Sequence, residues 1–213
     1  MANGFQSLSP LISPAAACCA FTWVAFTFPG FAQDDEPAKR VGIILEGSFE
    51  SPDVFKLAKD SKLTHVVPFY EWDYGVRPFD EAYWTKNQFT WERILAIGKR
   101  VADDLLEVLE PDLVRDERGV VEYAIIHDKD PFLTSILLSD KLLKKFEDTL
   151  GDRLLVVCID RHLVYLFPAA GGKIDDFGPA LVDEFRQTRL PVSLEVFLVD
   201  ADGYRVIGEL QRE

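Results

Sequence analysis

The chain has 213 residues and a formal net charge of -13, from 36 acidic and 23 basic side chains. This acidic balance argues against nucleic acid as a partner, because phosphates need Lys and Arg side chains to neutralise them. Residues 1–33 contain no charged side chain, and charge begins abruptly at Asp34.

The charge-free N-terminus predicts an export signal. As a helix, the apolar stretch 15–28 would span about 21 Å, which is short of the roughly 30 Å of a bilayer core. Secretory signals have an apolar region of this length followed by small residues, which Gly30 and Ala32 provide. We therefore expect cleavage after Ala32 and a periplasmic or secreted protein. A retained anchor, or a misassigned start that leaves the protein cytoplasmic, are the alternatives.

This partition divides the chain into three parts. Residues 1–32 form a signal peptide or apolar leader, residues 33–40 a solvated linker, and residues 41–213 a single domain of a size that can bury a core. Cleavage would leave Cys158 as the single thiol, and its apolar surroundings predict a buried core residue.

The folded part opens with two predicted strands separated by a predicted helix. Apolar runs at Val41–Leu45 and Thr64–Tyr70 are typical of strands. Between them, Ser51, Pro52 and Asp53 match the N-cap, N1 and first-turn preferences of a helix, which we expect to extend to about Asp60.

Beyond Trp91, one pattern of a helix followed by two strands occurs three times. Predicted helices lie near residues 94–108, 138–150 and 179–187. The predicted strands are 113–114, 120–126, 154–159, 163–167, 192–199 and 204–210. Short connections such as Asp200-Ala-Asp-Gly203 predict antiparallel hairpins. The fold class is therefore α+β, a mainly antiparallel sheet built from three successive helix–hairpin (α-β-β) units with the helices packed on the sheet.

Residues 130–202 carry a family resemblance. The segments Ser139–Gly151, Leu154–His162 and Leu163–Pro168 follow the hydrophobic pattern and element order of the bacterial YtpQ-like family, which the chain resembles over roughly a third of its length. The resemblance implies an α+β fold, and it supplies no catalytic residues.

An enzymatic hypothesis rests on Asp128 and Asp130. An apolar strand running into Asp-x-Asp resembles the metal-binding signature of nucleotide-sugar glycosyltransferases, in which paired carboxylates hold a divalent ion. No glycine-rich phosphate loop precedes this pair, and Asp130 followed by Pro131 is also a common turn opening. A structural role is favoured.

The histidines His65, His127 and His162 lack the spacing of a zinc site. His127 and His162 both end strands, so they could approach one another at a sheet edge. Ordinary hydrogen-bonded or exposed histidines at turns are the favoured interpretation.

Aromatic side chains are concentrated between residues 69 and 91, where nine occur. We expect most of them to pack this segment against a sheet, with Trp72 and Tyr74 exposed at a turn formed by Asp73–Gly75. Trp72 and Tyr74 are therefore the candidate binding residues, for a protein or peptide partner.

Two function classes follow. We favour an exported, non-enzymatic binding or interaction module, because no complete set of nucleophile, base and charge stabiliser is present. No cofactor, metal ligand or catalytic residue is predicted for it. The alternative is a metal-dependent transferase or hydrolase that uses Asp128 and Asp130.

Overall fold

The computed structural model describes residues 38–171 and 174–211, all within one compact unit, Glu36–Glu213. The predicted leader 1–32 lies outside the described residues. The α+β class is confirmed, although the strands form two mainly antiparallel sheets where one was predicted. In chain order the strands are β1 (Arg40–Gly47), β2 (Lys56–Leu57), β3 (Thr64–Trp72), β4 (Gly75–Pro78), β5 (Asp112–Arg115), β6 (Val121–His127), β7 (Leu154–Asp160), β8 (Leu163–Pro168), β9 (Glu195–Asp200) and β10 (Gly203–Glu209).

Four α-helices and one 3-10 helix are present among the described residues. They are α1 (Glu81–Lys86), α2 (Trp91–Val108), the 3-10 helix (Leu133–Leu138), α3 (Lys141–Leu150) and α4 (Ile174–Gln187). Side-chain N-caps stabilise the first turns of α1 and α2: Asp80 accepts from the N–H of Tyr83, and Thr90 accepts from the N–H of Arg93. None of these helices combines the length and apolarity needed to span a bilayer.

The smaller sheet is centred on β3. β1 pairs with β3 along its length, and β2 and β4 pair with opposite ends of β3. α2 packs on this sheet at Gly98, where an added Cβ would lie 2.7 Å from Cδ1 of Ile43. A side chain at Gly98 would therefore separate α2 from β1.

The larger sheet has the strand order β10-β9-β7-β8-β6-β5. Its central strand, β7, is buried on both faces. Leu154, Val156 and Cys158 contribute to a core shared with β1, β3, α2 and α3, whereas Val157 and Ile159 contribute to a second core beneath α4. Continuous apolar sequence is what a strand buried on both faces requires.

The predicted helix from Ser51 to Asp60 is wrong. Lys56 and Leu57 form β2 instead, and Asp60 has a φ of 61°. The carbonyl of Lys59 also accepts a bond from the N–H of Val206 in β10. Because strands on both sides bond to this backbone, tertiary pairing overrides the local capping signal.

Two other helix boundaries differ from the predictions. The predicted helix 138–150 corresponds to α3, which begins later, at Lys141. Ser139 lies between the 3-10 helix and α3, and its Oγ accepts the N–H of Lys141. α3 ends at Leu150, and Gly151, with a φ of 92°, follows as expected. The third helix begins at Ile174, before the predicted start at Pro179, because Ile174 is buried in the core beneath α4.

Candidate functional site

The predicted binding residues lie at the tip of the β3–β4 hairpin. Trp72 pairs with Gly75, so Asp73 and Tyr74 form a two-residue turn, and Gly75 has a φ of 132°. Tyr74 is 83% exposed. Trp72 is expected to be exposed but is half-buried. Its ring centroid lies 4.9 Å from that of Tyr74 in an edge-on arrangement, and the Arg77 guanidinium lies 3.8 Å above it.

A second, larger ring cluster joins β3 to α1 and α2. Tyr70 stacks on Tyr83 of α1 at 4.7 Å, and Phe79 contacts both Tyr83 and Phe89. Trp84 extends the cluster to Trp91 of α2 at 5.3 Å. Phe79 is buried, and the other rings of this cluster are half-buried. We call the following residues the aromatic face: Tyr70, Trp72, Tyr74, Tyr83, Trp84, Phe89 and Trp91.

Three cations lie over rings of the aromatic face. Besides Arg77 on Trp72, Lys56 lies 4.7 Å above Trp91 and Arg93 lies 5.1 Å above Phe89. In the described part of the chain, none of the three cations forms an ion pair with a carboxylate. Their positive charge is therefore available to a ligand on this surface.

The candidate metal-binding pair has other partners. Asp130 receives Nη1 of Arg40 at 2.7 Å and Nη2 at 3.0 Å, and its Oδ1 also accepts the N–H of Phe132. Asp128 accepts the N–H of Asp130 at 2.7 Å. A bidentate guanidinium occupies both oxygens of Asp130, which favours the structural role. In residues 38–171 and 174–211 no group of three or more His, Cys, Asp or Glu side chains could hold a metal ion.

Two of the three histidines come together. His127 and His162 line one open cleft of about 1050 Å³ between the end of the larger sheet and the C-terminal half of α4. Two contacts join Asp128 to His162 at this end of the sheet. The N–H of Asp128 donates to the carbonyl of His162, and Nδ1 of His162 lies 3.0 Å from the carbonyl of Asp128. The α4 cleft is lined by His127, Asp128, Lys129, Asp160, His162, Leu163, Ala180, Asp183, Glu184, Gln187, Thr188, Arg189 and Leu190.

The carboxylates of the α4 cleft differ in how many hydrogen bonds they accept. Asp160 accepts from Thr188 Oγ1 and from the N–H groups of Leu190 and His162. Glu184 accepts the hydroxyl of Tyr165 at 2.5 Å, which adds to burial in raising the pKa of Tyr165 above its ordinary value. Asp160 therefore has a structural role in the cleft wall, whereas one oxygen of Glu184 has no hydrogen bond within residues 38–171 and 174–211.

His65 and Cys158 are buried away from both surfaces. The ring of His65 stacks on Phe55 at 4.2 Å, and burial lowers its pKa. Cys158 is fully buried, as predicted, and burial raises the pKa of its thiol to about 12. A protonated thiol without access to solvent is not a nucleophile.

Sequence reasoning missed the contribution of α4 to the cleft. Asp183 and Glu184 lie on a helix that the pattern predicts correctly in part, but acidic residues on a helix are ordinarily a solvated face. The cationic partners of the aromatic rings were also missed, since they come from β2, β4 and α2. Comparison with known protein families, curated proteins and solved structures gives no match.

Proposed function

We propose that this protein is a non-enzymatic binding module that captures a protein or peptide partner on the aromatic face. The observation that carries the proposal is the aromatic face itself, in which one exposed ring and six half-buried rings lie beside cations that have no ion-pair partners among the described residues. Tyr, Trp and Arg are the side chains most enriched at the centres of protein interfaces.

The chemistry of the surface defines the partner. Rings supply area for apolar and aromatic side chains, and Arg77, Lys56 and Arg93 supply positive charge. The edge of β4 contributes little, because Pro78 has no N–H to pair with an added strand. We therefore expect a partner that presents aromatic and acidic side chains, bound through side chains and not by extension of the sheet.

Selection from a random peptide library on the full-length protein tests this function. We expect enriched peptides to combine aromatic and acidic residues, and Tyr74→Ala to weaken their binding about ten-fold while changing the free energy of unfolding by less than about 1 kcal/mol. Affinity is measured by fluorescence polarisation and stability by urea denaturation.

Val108→Ala is the matched control, since Val108 is 75% exposed at the far end of α2. Its peptide affinity should equal that of the unmodified protein. Selected peptides that bind the Tyr74→Ala protein as tightly as the unmodified one would refute the aromatic face as the binding site.

The alternative, a metal-dependent transferase or hydrolase, would require Asp130 to leave Arg40. Thermal melting with Mn²⁺ or Mg²⁺ and nucleotide sugars separates the two functions. A ligand-dependent rise in melting temperature would favour the enzyme.

Three further features are also proposed. The three helix–hairpin units remain our interpretation of α2-β5-β6, α3-β7-β8 and α4-β9-β10, supported by hairpin pairing within each unit. The YtpQ-like resemblance over residues 130–202 also stays a proposal, which rests on the hydrophobic pattern of the sequence. Export is supported by the charge-free residues 1–33, and N-terminal sequencing of the native protein should find cleavage after Ala32.

A further inference from the structure

We propose that the α4 cleft is a second binding site, independent of the aromatic face, and that its ligand is an organic ammonium compound with a hydrocarbon portion. Its volume of about 1050 Å³ is large enough for a small molecule or a long side chain. Leu163, Ala180 and Leu190 supply the apolar part of the lining, on which methylene groups can rest.

His162 provides the first argument for a hydrogen-bond donor as ligand. Its Nδ1 lies 3.0 Å from the carbonyl oxygen of Asp128, and a carbonyl can only accept. When the imidazole is neutral, its proton therefore lies on Nδ1 and Nε2 is an acceptor. His162 lines the cleft, its backbone N–H donates to Asp160, and the contact of Nδ1 with the Asp128 carbonyl holds the ring, so this acceptor has a defined position.

Charge provides the second argument, and it selects an ammonium group among donors. Four carboxylates line the cleft against two cations, Lys129 and Arg189, in a chain whose net charge is -13. Glu184 uses one oxygen for Tyr165, and among the described residues its other oxygen has no hydrogen bond. An anion entering this cleft would be repelled, whereas a cation would be attracted from a distance.

Calorimetric titration of the full-length protein with cadaverine at 150 mM NaCl tests the proposal. 1,5-Pentanediol is the matched ligand, since it has the same chain length without the charge. We expect cadaverine to bind at least about ten-fold more tightly than the diol, because a charge-assisted hydrogen bond is about twice as strong as a neutral one. A capped Gly-Lys-Gly peptide forms the other arm: binding of that peptide in preference to cadaverine would identify a protein lysine as the source of the ammonium group.

Variants locate the binding. Glu184→Gln should weaken the ammonium ligand about ten-fold. His162→Asn, whose amide can still donate to the Asp128 carbonyl but has no acceptor at the Nε2 position, should weaken it about five-fold. Asp104→Asn on the exposed surface of α2 removes the same charge elsewhere and should change affinity by less than about two-fold.

The proposal fails if cadaverine and the diol bind equally, or if neither cadaverine nor the peptide binds at millimolar concentration. It also fails if Asp104→Asn weakens binding as much as Glu184→Gln, because attraction to the whole acidic surface would then explain the affinity. Melting temperatures of the variants, expected to match that of the unmodified protein, exclude loss of folding as the cause.

Discussion

Glu195→Ala is expected to lower the free energy of unfolding by about 3–5 kcal/mol at pH 7. Glu195 is 3% exposed and joins β9 to the loop before β3. Its Oε2 accepts the hydroxyls of Ser61 at 2.6 Å and Thr64 at 2.7 Å, and its Oε1 accepts the N–H groups of Lys62 at 2.8 Å and Leu63 at 3.2 Å. Truncation leaves all four donors without this acceptor.

The pH dependence of this loss has a defined sign. Burial alone would raise the pKa of Glu195, but the four donors outweigh burial and hold the pKa below its ordinary value. A depressed pKa contributes stability above the unfolded-state pKa of about 4.3, and that contribution is lost as pH falls through the folded-state pKa. The difference between Glu195→Ala and the unmodified protein should therefore narrow below about pH 4.

Urea denaturation at pH 7 and at about pH 3 measures both effects. Glu147→Ala, at an exposed position of α3, is the control and should cost less than about 1 kcal/mol. Glu195→Gln keeps the shape of the side chain, and its loss of stability should lie between those of Glu195→Ala and Glu147→Ala. A loss below about 1 kcal/mol for Glu195→Ala would show that water replaces the carboxylate without cost.

Arg161→Met is expected to destabilise the protein by about 3–5 kcal/mol, because it leaves the carboxylate of Glu46 buried without its cation. Glu46 is 2% exposed. Nε of Arg161 lies 2.6 Å from its Oε1, and Nη2 donates to Oε2 at 2.9 Å. The same guanidinium lies 5.3 Å from the Phe69 ring centroid.

The pKa of Glu46 is shifted in the opposite direction to that of Glu195, although the deficit again shrinks as pH falls. Burial raises the pKa of Glu46 even with Arg161 present, and Arg161 offsets only part of that rise. Without Arg161 the folded state favours the protonated carboxyl more strongly, so the deficit is full at high pH and shrinks as pH falls through the folded-state pKa. Urea denaturation at pH 8 and pH 5 measures this change.

A double variant separates pairing from packing. Replacing the ion pair by apolar side chains of similar size, as in Glu46→Leu with Arg161→Met, should restore stability to within about 1 kcal/mol of the unmodified protein. If the double variant is no more stable than Arg161→Met alone, the loss arises from packing around Phe69 and not from an unpaired charge.

The sequence predicts the elements whose signals are local and repeated along the chain. α2 and the hairpins β7–β8 and β9–β10 follow their apolar periodicity and turn residues, including Gly203 with a φ of 99°. The predicted helix after Ser51 fails because β3 and β10 bond to that backbone. Capping preferences of about 1 kcal/mol cannot prevail against sheet pairing that lies far away in sequence.

The residues of the candidate sites are likewise predictable only where the signal is local in the sequence. Tyr74 is predictable because Asp73 and Gly75 mark its turn. The stacking of Arg77 on Trp72, and the bidentate contact of Arg40 with Asp130, join residues whose proximity depends on strand register and on packing between elements. Composition indicates that such side chains exist, but only the assembled sheets determine which of them meet.

The two-sided burial of β7 has a mechanical consequence. Since alternate residues of a single strand belong to different cores, neither core can loosen without displacing a strand on which the other depends. The layer under α4 and the layer shared with β1 and β3 are thus linked through one backbone, and they should melt as a single cooperative unit.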